Sequence, residues 1–289
     1  REEIQSWDDI TFLNKAKIIR QGKITNAAII LLGKPESEVL ISPAVAKIRW
    51  ILKDSKQEER DYQIETCPFI LASKNIYAKI RNLKYRFIPP NEQTLFPKEM
   101  DTYEPYIIRE ALNNAIAHQD YTMSGMINVV EYDDKLVFSN KGNFIPQSIK
   151  NVLISDAPEE RYRNRFLAQA MVELKMVDTI GSGIRRMFNF QRERLFPMPD
   201  YELSDNRVQV TITGKIIDNN YSTLLAQNPN LTLNDVEILS RVLLKRNVST
   251  AEIDHLRKLK LIEGRKPNEK KKKNVAQTVG KEISYTKNK

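Results

Sequence analysis

The segment Arg109-Glu-Ala-Leu-Asn-Asn-Ala-Ile-Ala-His-Gln-Asp-Tyr121 constrains this chain more than any other. Its apolar residues, with Ile108 just before it and Leu112, Ala115, Ile116 and Ala117 within it, recur at helical spacing. Glu110, Asn114 and His118 follow at intervals of four along the other side. A carboxylate, an amide and an imidazole thus share one stripe of a helix whose opposite face is apolar enough to anchor it. A fold that accepts this helix must bury one stripe and give the other a use.

The surrounding pattern places the helix. Residues 7–19 read as a short amphipathic helix, followed by a turn at Gln21-Gly22-Lys23 and a compact apolar segment ending at Gly33. Ala46–Leu52 alternates, with Ile48, Trp50 and Leu52 on one face, which predicts a half-buried strand. From Tyr62 to Arg86 the pattern is mostly helical, and Pro89-Pro90 closes it because proline lacks the amide a helix needs. The central helix is expected over 102–120, with Pro105 in its first turn. Met126–Tyr132 and Lys135–Ser139 then alternate across Asp133-Asp134 as a hairpin. An Arg-rich stretch at 159–165 leads into a helix through Leu174, and Arg207–Thr213 is a final alternating strand. The expected class is α+β, a helix-on-sheet sandwich. Three segments are expected: 1–90, 91–214 and 215–289.

Charge separates the last segment from the rest. Residues 215–289 hold 16 Lys/Arg against 8 Asp/Glu, an excess of 8 in a chain of net charge +9. Such a balance suits a polyanion, although runs such as Lys270–Lys273 are commonly no more than solvated loop. Thr232–Lys245 and the capping-box sequence Ser249-Thr-Ala-Glu252 start two helices. The second carries His255, Arg257, Lys258 and Lys260. Helix, tight turn, basic helix, glycine and strand is the outline of a winged helix-turn-helix, expected to be incomplete. Arg257, Lys258, Arg265 and Lys266 are the candidate DNA contacts.

The one cysteine, Cys67, excludes an internal disulfide and any paired-cysteine zinc framework. Apolar runs such as Ala27–Leu32 are too short to span a membrane. A cytoplasmic location is expected. The chain begins with Arg1 in a polar stretch, so a fragment of a longer protein is expected as well.

Three islands carry candidate chemistry: the Glu110/Asn114/His118 stripe, the Asn140-Lys141-Gly142 turn, and Gly181-Ser182-Gly183 ahead of a helix. An asparagine oxygen is a hard, neutral ligand for Mg²⁺, an ion that keeps phosphates and waters in its shell. A glutamate one turn earlier can orient or deprotonate a water. Glycines at a helix start let backbone amides approach phosphates. Each island alone is common as a turn or packing feature; taken together, their chemistry suits a nucleotide site.

That order resembles the N, G1 and G2 boxes of the ATPases shared by gyrase, MutL and histidine kinases. Glu110-x-x-x-Asn114 matches the first box and Gly181-x-Gly183 part of the third. In the second, Asn140 stands where those enzymes have the aspartate that reads adenine, and Phe144 replaces a glycine. An asparagine can accept a hydrogen bond from an amino group but can also donate one. A closer resemblance is to bacterial transcriptional regulators related to the RecG helicase C-terminal region, also called divergent AAA-type. It is carried by 109–121, Ser139–Gly142, Arg163–Ala168 and Gly181–Ile184. Gln21–Ala28 with Leu32-Gly33 resembles the end of a Schlafen AlbA-type domain joined upstream. The resemblance implies a partial AlbA-like α/β segment, a gyrase/histidine-kinase-like ATP-binding module and a DNA-binding regulator. It implies ATP and Mg²⁺ as cofactors, Glu110 as a catalytic group, Asn114 as the metal ligand, and His118, Asn140, Gly142, Gly181 and Gly183 as nucleotide contacts. No Gly-x-x-x-x-Gly-Lys-Ser/Thr loop is present, so no motor is expected. Two alternatives stay open: an Mg-dependent ATP hydrolase, and a degenerate ATPase-like scaffold that forms a homo-oligomer without nucleotide.

Overall fold

The computed structural model describes residues 5–88, 96–154, 162–177, 182–263 and 284–285. In chain order its helices and strands are α1 (Asp9–Lys15), β1 (Ile19–Arg20), β2 (Lys23–Ile24), α2 (Asn26–Leu32), β3 (Ile48–Lys53), β4 (Glu59–Glu65), α3 (Phe69–Lys79), β5 (Lys84–Phe87), β6 (Lys98–Asp101) and α4 (Pro105–His118). There follow β7 (Ile127–Glu131), β8 (Lys135–Lys141), α5 (Ile149–Ile154), α6 (Arg165–Glu173), α7 (Gly183–Glu193), β9 (Asp200–Ser204) and β10 (Arg207–Thr213). The last are α8 (Asn219–Gln227), α9 (Leu233–Leu243), α10 (Thr250–Lys258), β11 (Ile262–Glu263) and β12 (Ser284–Tyr285).

The chain divides into two units. The first comprises 1–82, 104–184 and 201–211; the second comprises 83–103, 185–200 and 212–289.

The first unit is organised by a parallel pairing between strands far apart in sequence. β3 lies beside β7, with Ile48 opposite Ile127 and Trp50 opposite Val129. β4 pairs antiparallel with β3, and β8 antiparallel with β7. The mixed six-stranded sheet runs β4-β3-β7-β8-β10-β9. Its alternation is direct: Ile127, Val129, Leu136 and Phe138 are buried, while on the wetter face Arg49 Nε donates to Asn128 Oδ1 at 2.9 Å. Helix α4 packs on β7 and β8, α3 packs on β3 and β4, and the two helices touch.

The 62–86 stretch departs from its helical pattern: it gives the end of β4, helix α3 and strand β5. Glu59-Arg-Asp-Tyr-Gln-Ile-Glu65 has little apolar alternation of its own and is extended because its backbone pairs with β3. As an edge strand it is dressed in charge, which discourages pairing with a further chain. In β3, Ile51 is buried as well as Ile48 and Trp50, whereas Leu52 is half-buried.

The second unit contains the antiparallel β5–β6 pair and helices α8, α9 and α10. Phe188, Phe196, Tyr221, Leu239 and Leu256 are buried there. Gln191 Nε2 donates to the carbonyls of Pro197 and Thr213, each at 2.9 Å. Both α9 and α10 start with full capping boxes, Thr232 with Asp235 and Ser249 with Glu252. β11 and β12 pair antiparallel after α10. Among the described residues no helix is long and apolar enough to cross a membrane.

One buried carboxylate in the first unit ties the sheet to the end of α3. Glu131, 2% exposed, accepts from Trp50 Nε1 at 3.1 Å and from Arg81 Nε at 2.7 Å. Removing the carboxylate leaves a buried indole N–H without its acceptor. Glu131→Ala is expected to lower stability by about 2–4 kcal/mol, since one partner of a largely buried pair is deleted. Urea denaturation measures it; a loss below about 0.5 kcal/mol, the range of ordinary surface substitutions, would show that this pairing is not a fixed part of the sheet.

Candidate functional site

Helix α4 begins with Pro105 at its first position, where a missing N–H costs nothing. Its apolar stripe, including Ile108, Leu112, Ala115 and Ile116, is buried, and so are two polar residues, Glu110 and Asn113. Asn113 Nδ2 donates to the Met176 carbonyl at 2.7 Å. Asn114 Nδ2 donates to Glu110 Oε1 at 3.1 Å. One hydrogen of the Asn114 amine is thereby engaged, and its carbonyl oxygen can accept from or coordinate a ligand.

Glu110, Asn114, His118, Asn140 and Gly183 all line one pocket. Phe138 and Asn140 reach it from β8, Val208 and Val210 from β10, and Ile184 from the first turn of α7. Asn140 is buried, and its Nδ2 donates to the Lys141 carbonyl at 3.0 Å. As with Asn114, the acceptor oxygen remains available. The His118 ring stacks on Tyr162 with centroids 5.7 Å apart. Burial, reinforced by the Arg163 guanidinium, pushes its pKa down to about 4. At neutral pH it is an uncharged hydrogen-bonding group and not a cation for phosphate.

Gly183 is small for a specific reason. A β-carbon built on it would land on the Glu110 carboxylate. The first residue of α7 and the central carboxylate are therefore in direct apposition, a favourable place for negative charge at the start of a helix. Burial, with a smaller contribution from the same carboxylate, raises the Tyr201 phenol above its ordinary range.

Gly142 has a different role from the pocket residues. Its φ is +107°, its N–H donates to the Asn206 carbonyl at 3.1 Å, and a β-carbon there would meet the Arg163 guanidinium. It shapes the turn and is not among the residues lining the pocket. Gly181 lies outside the described residues, as do Arg265 and Lys266. In the second unit, Arg257 donates to Asp254 at 3.3 Å and Lys258 is exposed.

The site also depends on residues that sequence reading passed over. Gln119, fully buried, donates through Nε2 to the Gly125 carbonyl at 2.6 Å and accepts from the Lys141 amide at 2.7 Å. Asn164 stands at the N-cap of α6 but spends its amine on the Ala117 and Gln119 carbonyls, at 3.0 and 2.7 Å. These are carbonyls at the end of α4 that no further helical turn would satisfy. Arg163 pairs with Asp120 at 3.0 Å and donates to the Asn143 carbonyl at 3.2 Å. The signals for this network were the Arg163-Asn-Arg-Phe-Leu-Ala168 segment and the end of 109–121, and nothing in them told which partners their side chains would take.

Residues 125–212 match the family described as "Putative ATP-dependent DNA helicase recG C-terminal". The match takes in Asn140 and Gly183 and begins after α4, so Glu110, Asn114 and His118 lie outside it. It supports an ATP-binding module. No curated protein compared with the chain matches it. Among solved structures, the chain is similar to the DIP2311 protein from Corynebacterium diphtheriae, with 17% identity and a TM-score of 0.60. The alignment covers 92% of this chain and 58% of that one, and the likeness is one of fold.

The Glu110–Gly183 apposition is testable by a double-mutant cycle. Gly183→Ala alone is expected to destabilise the protein by about 1–3 kcal/mol through overpacking. In a Glu110→Ala background the same substitution is expected to cost much less, because the obstructing carboxylate is gone. Additive losses in denaturation midpoints would show that the two residues do not meet.

Proposed function

We propose that the pocket on α4 is a Mg²⁺-nucleotide site in a DNA-binding transcriptional regulator. The observation that carries the nucleotide reading is the convergence of Glu110, Asn114, His118, Asn140 and Gly183 on one pocket. The family match over 125–212 supports it.

The donor set suits the proposed ligand. Asn114 offers Mg²⁺ a neutral oxygen, and among the described residues there is no cluster of three or more His, Cys, Asp or Glu of the kind a transition metal prefers. Asn140 offers an acceptor to an exocyclic amino group, and Phe138, Val208 and Val210 give a base apolar walls. The carboxylate beside Gly183 would repel an incoming polyphosphate. Bound Mg²⁺ would offset that repulsion by neutralising charge between the two anions. In this reading Glu110 first positions Asn114 and only secondarily orients a water.

Calorimetric titration of Mg-ATP into the whole chain tests the proposal. Asn114→Ala is expected to weaken binding about tenfold or more, a decade being ~1.4 kcal/mol, and removal of Mg²⁺ with a chelator is expected to do the same. Absence of binding to the unaltered chain would overturn the nucleotide site and favour the scaffold reading, which Phe144 in the pocket wall supports. Phosphate release that Glu110→Gln abolishes while ATP still binds would instead assign hydrolysis, with Glu110 as the base.

The regulatory part of the proposal rests on the second unit. Helices α9 and α10 followed by the β11–β12 pair, in the segment that carries most of the net positive charge, support a winged-helix DNA contact. The segment read as the end of an AlbA-like domain in a cytoplasmic protein would add a second nucleic-acid surface, its strands β3 and β4 belonging to the sheet that carries the pocket. Lys258→Glu is expected to weaken duplex binding by the whole chain and to reduce the salt slope by about one. A chain that binds no duplex at low salt would remove DNA from the proposal.

A further inference from the structure

The other side of α4 also faces a cavity. Lys74 and Tyr77 reach it from α3, Tyr106 and Arg109 from the first turns of α4, and Lys175 from the residues just after α6. It encloses about 400 Å³, within the range of roughly 300–1,000 Å³ typical of small-ligand sites. Among the described residues, three cations and two tyrosines line it and no carboxylate does.

Its floor is fixed. Asn113 is 5% exposed, and its bond to the Met176 carbonyl ties the end of α6 to α4. Lys175 occupies the left-handed position that closes α6, at φ +60°, with its amide bonded to the Val172 carbonyl and that of Met176 to Met171. The lysine is thus carried on an ordered turn. The Arg109 guanidinium lies 5.6 Å from the Tyr106 ring centroid, so a planar cation rests on an aromatic face at the mouth of the cavity. Tyr77 is 39% exposed and presents ring surface.

We propose that this cavity binds a small nucleoside phosphate, separately from the ligand of the first pocket. Arg109, Lys74 and Lys175 would take the phosphate, since a guanidinium fork and flexible ammonium groups match its oxygens. The tyrosines would take the base, as aromatic faces stack on any base. The cations converge on one concavity and do not run along the surface, which favours a small molecule over a nucleic-acid strand, which needs a track of cations along its backbone.

The test is titration of AMP, without Mg²⁺, into the whole chain. Lys74→Glu/Lys175→Glu changes two exposed side chains, and a thermal melt checks that the fold is kept. The double variant is expected to weaken AMP binding at least tenfold, whereas Asn114→Ala leaves it unchanged. Tyr77→Ala is expected to weaken AMP but not inorganic pyrophosphate. Equal AMP affinity in the double variant would overturn the proposal, and so would loss confined to Asn114→Ala, which would put AMP in the first pocket. Oligo(dT) binding that the double variant abolishes, with no AMP binding, would also overturn it in favour of a single-stranded nucleic-acid surface. An unaffected AMP affinity in Tyr77→Ala would remove the base from the assignment.

Discussion

A helix buried on several sides must find a partner for every polar atom it takes out of water, and α4 takes many. Glu110 and Asn113 are buried, Asn114 is half-buried, and the carbonyls at its C-terminal end meet the interior. The partners come from elsewhere in the first unit: the Met176 carbonyl for Asn113 and the Asn164 amide for the carbonyls of Ala117 and Gln119 at the C-terminal end. This is why polar residues on a core helix specify a structure more narrowly than the apolar ones: an apolar stripe accepts many neighbours, a buried amide accepts few.

The same bonds prepare the pocket. Asn114 and Asn140 each engage one amine hydrogen inside the protein and each retains a carbonyl oxygen that can act as an acceptor. The imidazole of His118 is held neutral by burial, and the carboxylate of Glu110 is held at the beginning of a helix. A site built from such groups is organised before a ligand arrives, which reduces the ordering cost of binding. Asn113 adds a structural link of its own, because it lines both the pocket and the cavity on the other side of α4. The helix serves as a wall common to two spaces.

Much of this was visible in the residues. The helix expected over 102–120 is found at Pro105–His118, and the hairpin and the strand Arg207–Thr213 fall where alternation puts them. Each of these segments carries a strong pattern of its own and needs no distant partner to be recognised. The 62–86 stretch did not, and β4 illustrates why: its extended form comes from a backbone ladder with β3, which its charged side chains do not announce. Gly142 and Gly183 show a subtler limit. Gly183 was read as a phosphate-side glycine and Gly142 as a nucleotide contact through the resemblance; in the fold one also makes room for a glutamate and the other for an arginine of the same chain.

By itself the sequence determined a chain of mixed helices and strands, a central helix with a carboxylate, an amide and an imidazole in register, and a basic C-terminal segment. Periodicity and composition are local properties, and they survive without knowledge of what lies across the chain. The tertiary structure alone decided that β3 pairs in parallel with β7, that Asn164 closes the end of α4, and that Glu110 rests against Gly183. Those facts depend on which distant backbone groups satisfy each buried polar atom, and that choice is made only when the chain is folded.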